Sequence, residues 1–330
     1  MNADRGSADQ CAADQNHTDP DALHACAHAA FDEGDLVEAR RRFEALLAAA
    51  PDRADNHYMQ GLVCKYLRDW PTSLRHNLQS LALRTSADEA SQWNAAIAAT
   101  ALGDWAEARR QWHDCGIDIP DGDGAIGGNY GVASIRLNAW DSGETLFGSR
   151  IDPVRARLIN VPLPGSGYRY GDIVLHDGAT TGRRRFHQSM VPVFNALQRL
   201  EASEFQTFAV FVSCSLSEDV DALLEVRVPG IAFIEDWTEN VAQICLRCSY
   251  GAPHRRDSDA HAPDKPAGWW PERNIGVAAQ SRHSVAKLLQ RWRLNNSGRQ
   301  VDAIESRDTL PSAPPIRDKR WWLSPDDREP

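Results

Sequence analysis

From Asp19-Pro20 onward, small and apolar residues recur three and four positions apart. Leu23, Cys26, Ala27, Ala30 and Phe31 share one side of a helix that aspartate can cap and proline can start. Gly34 interrupts this pattern, and a second helical stretch runs from about Leu36 to Ala50 before Pro51. The same helix, turn, helix spacing predicts helices at about 54–67, 70–84, 89–102 and 105–115. Asp121–Gly131 is then dense in glycine, and from about Ala133 the period changes. Short apolar runs bounded by glycine and proline predict strands at Ala156–Leu163, Asp172–His176, Phe205–Val212, Ile231–Glu235, Val241–Leu246 and Ile275–Ala279, with Ser134–Trp140 also extended. Helical spacing returns at Ser189–Glu201, Ser217–Val226 and Ser284–Leu294. QTFAVFV leading into SEDVDALLEV and NIGVAA leading into HSVAKLLQRW look alike: each is a strand, a serine-bearing turn and an amphipathic helix. Ile231–Glu235 supplies a strand returning from the first of these helices.

The helical part repeats itself. Gly34–Pro51, GDLVEARRRFEALLAAAP, returns at Gly103–Pro120 as GDWAEARRQWHDCGIDIP, and a degenerate copy begins at Arg68. Asp35, Asp69 and Asp104 stand 34 and 35 residues apart, a period expected of stacked helical hairpins. On these residues the stretch from about 20 to 120 resembles the tetratricopeptide (TPR) repeat family. Ala27, Gly61 and Ala96 take the small position of each first helix, and Ala39, Ser73 and Ala108 that of each second helix. Phe43 and Trp112 take the large position, Pro51 and Pro120 the closing proline; the middle copy departs, with Asn77 and Thr85 at those places. Small residues are needed there because a longer side chain would push the helix axes apart.

The resemblance implies three helix pairs and a concave face, lined by the first helices, that holds a peptide or helix. Carried over by position, that face includes His24, His28, Phe31, Tyr58, Leu62, Lys65, Tyr66, Trp93 and Ile97. Tyr58 and Trp93 fall at matching positions and are expected side by side as a short aromatic ladder, with Lys65 favouring an acidic group at its edge. The alternative is that these aromatics pack against the second domain. The repeated lysine and asparagine set with which some family members grip a C-terminal carboxylate is missing.

Composition narrows the partners. The 330 residues carry a formal net charge of -10 without a long basic run, which argues against nucleic acid. No stretch approaches 18 uninterrupted apolar residues and the N-terminus lacks an apolar core, so neither a membrane span nor a secretory signal is expected. Seven scattered cysteines are not a disulfide framework and suggest a reducing, cytoplasmic setting. The organisation expected is a disordered tail at 1–19, a TPR-like array at 20–120, a glycine-rich hinge at 121–132, an α+β domain at 133–305 and a mobile, proline-rich tail at 306–330 with Trp321-Trp322 exposed. The overall fold class is α+β: an all-α repeat array followed by a sheet-and-helix domain.

Chemistry-bearing motifs are few. Cys245, Cys248, His254 and His261 could satisfy tetrahedral zinc, but a strand through Val241–Leu246 would send residues three apart to opposite faces, so no metal is expected. The glycines at 122, 124 and 127 fit G-x-G-x-x-G, yet a helix precedes them, and they read as a linker. Cys214 before a helix, the arginines 183–185 after GATTG and the neighbouring Glu235-Asp236 are weak candidates for a nucleophile, a phosphate site and acid–base work. No catalytic residue and no cofactor is assigned. The reading is a cytoplasmic, protein-binding scaffold or adaptor, in a sharper form a neutralising, immunity-type partner of a bacterial toxin. The competing class is an enzyme with its site in the α+β domain, the repeats recruiting a substrate or partner.

Overall fold

The computed structural model describes residues 20–141, 143–240, 269–294 and 296–324. They form two compact units: residues up to Gly128 together with Pro314–Leu323, and Asn129–Ala313 with the remaining C-terminal residues.

The first unit is a run of six helices: α1 (Pro20–Glu33), α2 (Leu36–Ala49), α3 (Ala54–Tyr66), α4 (Trp70–Leu83), α5 (Glu89–Leu102) and α6 (Trp105–Asp114). Each helix packs on the next in sequence, and α3 also meets α5. The recurring aspartates are the N-caps of the even helices. Asp35, Asp69 and Asp104 accept backbone N–H bonds from Glu38, Thr72 and Glu107, each with φ near -80° and ψ near 80°. Ala27, Ala39, Ala96, Ala108, Phe43 and Trp112 are all fully buried, as helix crossings require.

The middle pair solves its crossing with polar groups. Asn77 lies so close to Gly61 that a Cβ added there would sit 2.5 Å from its amide nitrogen. Ser73 Oγ donates to the Gly61 carbonyl at 2.8 Å, and Asn77 Nδ2 donates to the Ser73 carbonyl at 2.8 Å. Both side chains are buried, and these bonds offset part of the desolvation that an aromatic residue would avoid, Asn77 Oδ1 being left without a partner.

The second unit holds two sheets. β1 (Val132–Leu137), β2 (Glu144–Arg150), β3 (Arg155–Leu158), β4 (Ile173–Phe186) and β5 (Ser189–Glu201) close into a five-stranded barrel, antiparallel throughout except where β1 meets β5 in parallel. Alternate residues of β1, Ala133, Ile135 and Leu137, enter its core with Leu158, Val174 and Ala196. β6 (Gln206–Ser213), α7 (Ser217–Glu225), β7 (Ile231–Asp236), the short α8 (Trp237–Asn240), β8 (Glu272–Ala279), α9 (Arg282–Arg293) and β9 (Gln300–Ser306) follow. Their sheet has the order β7-β8-β6-β9, all neighbours antiparallel, so two β-α-β halves interleave as in ferredoxin-like folds. Phe208, Val210 and Val212 with Ile275 and Val277 pack under α7 and α9, while Ala209 and Ala278 turn to Trp237 and Val161 on the other face.

Several expectations need correction. Ser189–Glu201 is not helical; it is β5, hydrogen-bonded to β4 on one side and β1 on the other. Pro192 inside it is poorly suited to a helix interior, and barrel closure supplies partners that a local pattern cannot register. The strand expected at Ala156–Leu163 stops at Leu158, and β2 and β9 lie where none was expected. The barrel itself is additional to the single sheet-and-helix layer foreseen. The tail is not free: Trp321 is 1% exposed and Trp322 6%. The disordered tail expected at 1–19, the strand at Val241–Leu246 and the set Cys245, Cys248, His254 and His261 lie outside the described residues. Cys64, Cys115 and Cys214 are free thiols, but Cys26 is disulfide-bonded, so not every cysteine remains a thiol.

Candidate functional site

Phe31 sits in the last turn of α1, and Tyr66 is the last residue of α3. Both first helices therefore bring an aromatic ring to the same end of the array, where the α1–α2 turn also lies. The segment 316–322 crosses this end. Trp322 stacks against both rings, 4.6 Å from Tyr66 at an interplanar angle of 13° and 5.2 Å from Phe31 at 29°, while the Phe31 and Tyr66 centroids are 6.3 Å apart. Trp321 meets Tyr66 edge-on at 5.5 Å. Lys65 Nζ lies 4.6 Å from the Tyr66 centroid, a cation–π contact, and is buried rather than set out at a rim for an acidic partner.

The turn holds the backbone of the same segment. Leu36 N–H donates to the Ile316 carbonyl at 3.0 Å, and Arg317 faces Asp35 at 3.6 Å. Gly34, at φ +83°, lies so near Lys319 that an added Cβ would stand 2.9 Å from its backbone nitrogen and carbonyl carbon. Glycine is needed there twice over, for the left-handed backbone and for the close approach.

The other residues assigned to the face do different work. The His24 and His28 rings lie 4.5 Å apart, tilted at 45°, and His28 stands edge-on to Phe43 at 5.3 Å. Burial, then the neighbouring His24, lowers the pKa of His28. Trp93 packs edge-on against Trp112, the large residue of its own pair, at 4.9 Å. Tyr58 is half-buried on α3, and Leu62 and Ile97 are half-buried and buried. Of the anticipated residues, Phe31, Lys65 and Tyr66 converge. Gly34, Asp35 and the two tryptophans as their occupant were not foreseen, because the copy at Gly103-Asp104 has the same local sequence without that neighbour.

In the second unit the weak candidates separate. Glu235 accepts from Asn160 Nδ2 and Val161 N–H at 3.0 and 2.9 Å, whereas Asp236 pairs with buried Arg273. Glu144, holding Leu163 N–H at 2.9 Å, is pushed up to about 8 by burial and then by the Glu235 charge. Glu235 and Glu144 thus pin one stretch of chain, 160–163. Cys214 is buried and its pKa is raised by that burial, opposite to what a nucleophile needs. The arginines 183–185 lie on β4, where Arg184 donates to the Thr145 carbonyl at 2.6 Å and covers the Phe147 ring. The glycines 122, 124 and 127 belong to no regular element. A cleft of about 310 Å³ lined by Arg157, Tyr170, Glu201, Ser203, Glu204 and Phe205 gathers ionisable groups at the barrel surface.

Among the described residues no group of three or more histidine, cysteine or acidic side chains is placed to hold a metal, and no helix is long and apolar enough to cross a membrane. No protein-family model matches the chain, and no curated protein matches it either.

Proposed function

We propose that the chain is a protein-binding scaffold whose tetratricopeptide-like array receives an extended peptide across the α1–α2 turn and the ends of α1 and α3. The observation that supports this is the occupation of that end by the chain's own residues 316–322. They are held by one backbone hydrogen bond, an ion pair and two indoles against Phe31 and Tyr66. Backbone capture plus an aromatic slot is how peptide-binding surfaces combine affinity with specificity. Neutralisation of a toxin, as an immunity-type partner, is one role such a scaffold would serve, and the net charge of -10 suits a basic target.

A photo-cross-linking amino acid at Val37, an exposed position beside the turn, tests the reading in the native host. A covalent adduct with a host protein, lost in a Tyr66→Ala background, is expected. Adducts that form only from probes on the α+β unit would move the function there and favour the enzyme alternative.

A further inference from the structure

The tail at the array's end has the pattern of a bound peptide rather than of a core element. Residues 316–319 are exposed, and burial is concentrated in Trp321 and Trp322. Two anchors in a slot, flanked by exposed residues, is the distribution found at peptide interfaces. The contacts define a ligand chemistry. Asp35 faces the cationic Arg317, Leu36 N–H takes a carbonyl, Gly34 admits a backbone, and Phe31 with Tyr66 takes an indole. Asp318 adopts φ 63°, a left-handed conformation that aspartate enters more readily than most non-glycine residues. Pro314-Pro315 precede this segment as a short, stiff connection.

Resting on the scaffold reading, we propose that residues 316–322 are a cis ligand, and that the array exchanges them for a partner's segment of the same chemistry. That segment carries cationic residues followed by an adjacent pair of aromatic residues. While the tail is seated, the apparent affinity for such a segment is reduced by the fraction of molecules whose slot is open. The tether supplies the tail at high effective concentration, so an exchanging partner must present both anchors or be abundant.

A fluorescein-labelled peptide with the sequence of residues 316–323, IRDKRWWL, is the probe, read by fluorescence anisotropy against the full chain. A W321A/W322A chain should bind it at least about tenfold more tightly than the wild type, since the tethered competitor is gone. Binding should vanish with Tyr66→Ala added to that chain, and with a probe reading IRDKRAAL. A W321A/W322A chain that keeps its helical circular dichroism yet binds no better than wild type overturns the proposal, leaving the tail as a fixed strap. If that variant unfolds, a protease site inserted between Ala313 and Pro314 of the otherwise wild-type chain replaces it. After cleavage the labelled peptide should displace the tail fragment. A fragment that never exchanges, or a chain that unfolds when cut, also overturns the proposal. The two readings fail separately. A Val37 photo-adduct without peptide binding keeps the scaffold and removes this ligand chemistry. Peptide exchange without any host adduct keeps the ligand chemistry and removes the scaffold role.

Discussion

In the first helix pair Asp35 caps α2, Glu38 bonds Arg41 and Arg42, and Phe43 fills the crossing beside Ala39. In the third pair Asp104 caps α6, Glu107 pairs with Arg110 and bonds Gln111, and Trp112 fills the crossing beside Ala108. Gly34 and Gly103 precede these caps with φ of 83° and 72°. Local structure is thus nearly the same, yet the surroundings are not. Gly34 has the Lys319 backbone against it, whereas an added Cβ on Gly103 would meet nothing nearer than the Trp105 ring at 3.9 Å. Repetition of sequence builds the repeated turn; a distant segment makes one copy into a site.

That comparison can be pressed at its core first. Phe43→Ala and Trp112→Ala each empty a fully buried crossing, and each should lose about 3–5 kcal/mol of stability in denaturant titrations. If one is nearly neutral, the two crossings are not equivalent and the likeness ends at the caps.

The middle pair departs in a way that pH exposes. His57 Nδ1 and His76 Nδ1 are 2.8 Å apart, His57 Nε2 contacts the Pro51 carbonyl, and Arg75 reaches His76 Nε2. All four atoms are satisfied when Arg75 donates to His76, His76 to His57 and His57 to the carbonyl, with both rings neutral. Burial, then the charges of Arg75 and His57, lowers His76 to about 4, with Glu44 opposing and Arg40 adding to the shift. The unfolded chain therefore binds more protons between pH 6.5 and 4. Stability is complete above 6.5 and falls as pH drops toward 4, by up to ~1.4 kcal/mol per pH unit for this group. Melting across that range should show a shallower acid loss in His76→Gln than in wild type; an unchanged slope would remove the histidine pair from the account.

The sharpest test substitutes the two glycines. Gly103→Ala should cost about 1 kcal/mol, the strain of a left-handed alanine. Gly34→Ala carries the same strain and also meets Lys319, adding about 1–3 kcal/mol or expelling the tail. Equal losses, with Trp fluorescence unchanged, would mean that the tail does not lean on Gly34.

The smallest effect concerns Glu38, which Arg41 and Arg42 hold down at about 2 despite burial. Glu38→Gln should lose about 0.5 kcal/mol near neutrality. Because the folded pKa lies below the usual 4.5, that difference is present above pH 4.5 and disappears as pH falls through about 2. A difference that persists at pH 2 would be packing rather than charge.

The six helices were legible because their determinants lie within a few residues of one another. Asp35, Asp69 and Asp104 cap the amides three positions on, and apolar residues three and four apart share a face. The β-α halves at β6 and β8 were readable for the same reason. β5 was not, since its apolar spacing suits a helix as well as a strand, and partners in β4 and β1 decided between them. Phe31, Lys65 and Tyr66 could be placed on one face from their helix positions alone. Tyr66 and Trp322 stand more than 250 residues apart, and no local pattern couples them. Sequence by itself determined the repeated helix pairs and their caps, through short-range hydrogen bonds and periodic burial. Which pair meets the tail was decided only in the folded molecule, because that contact depends on where the far end of the chain returns.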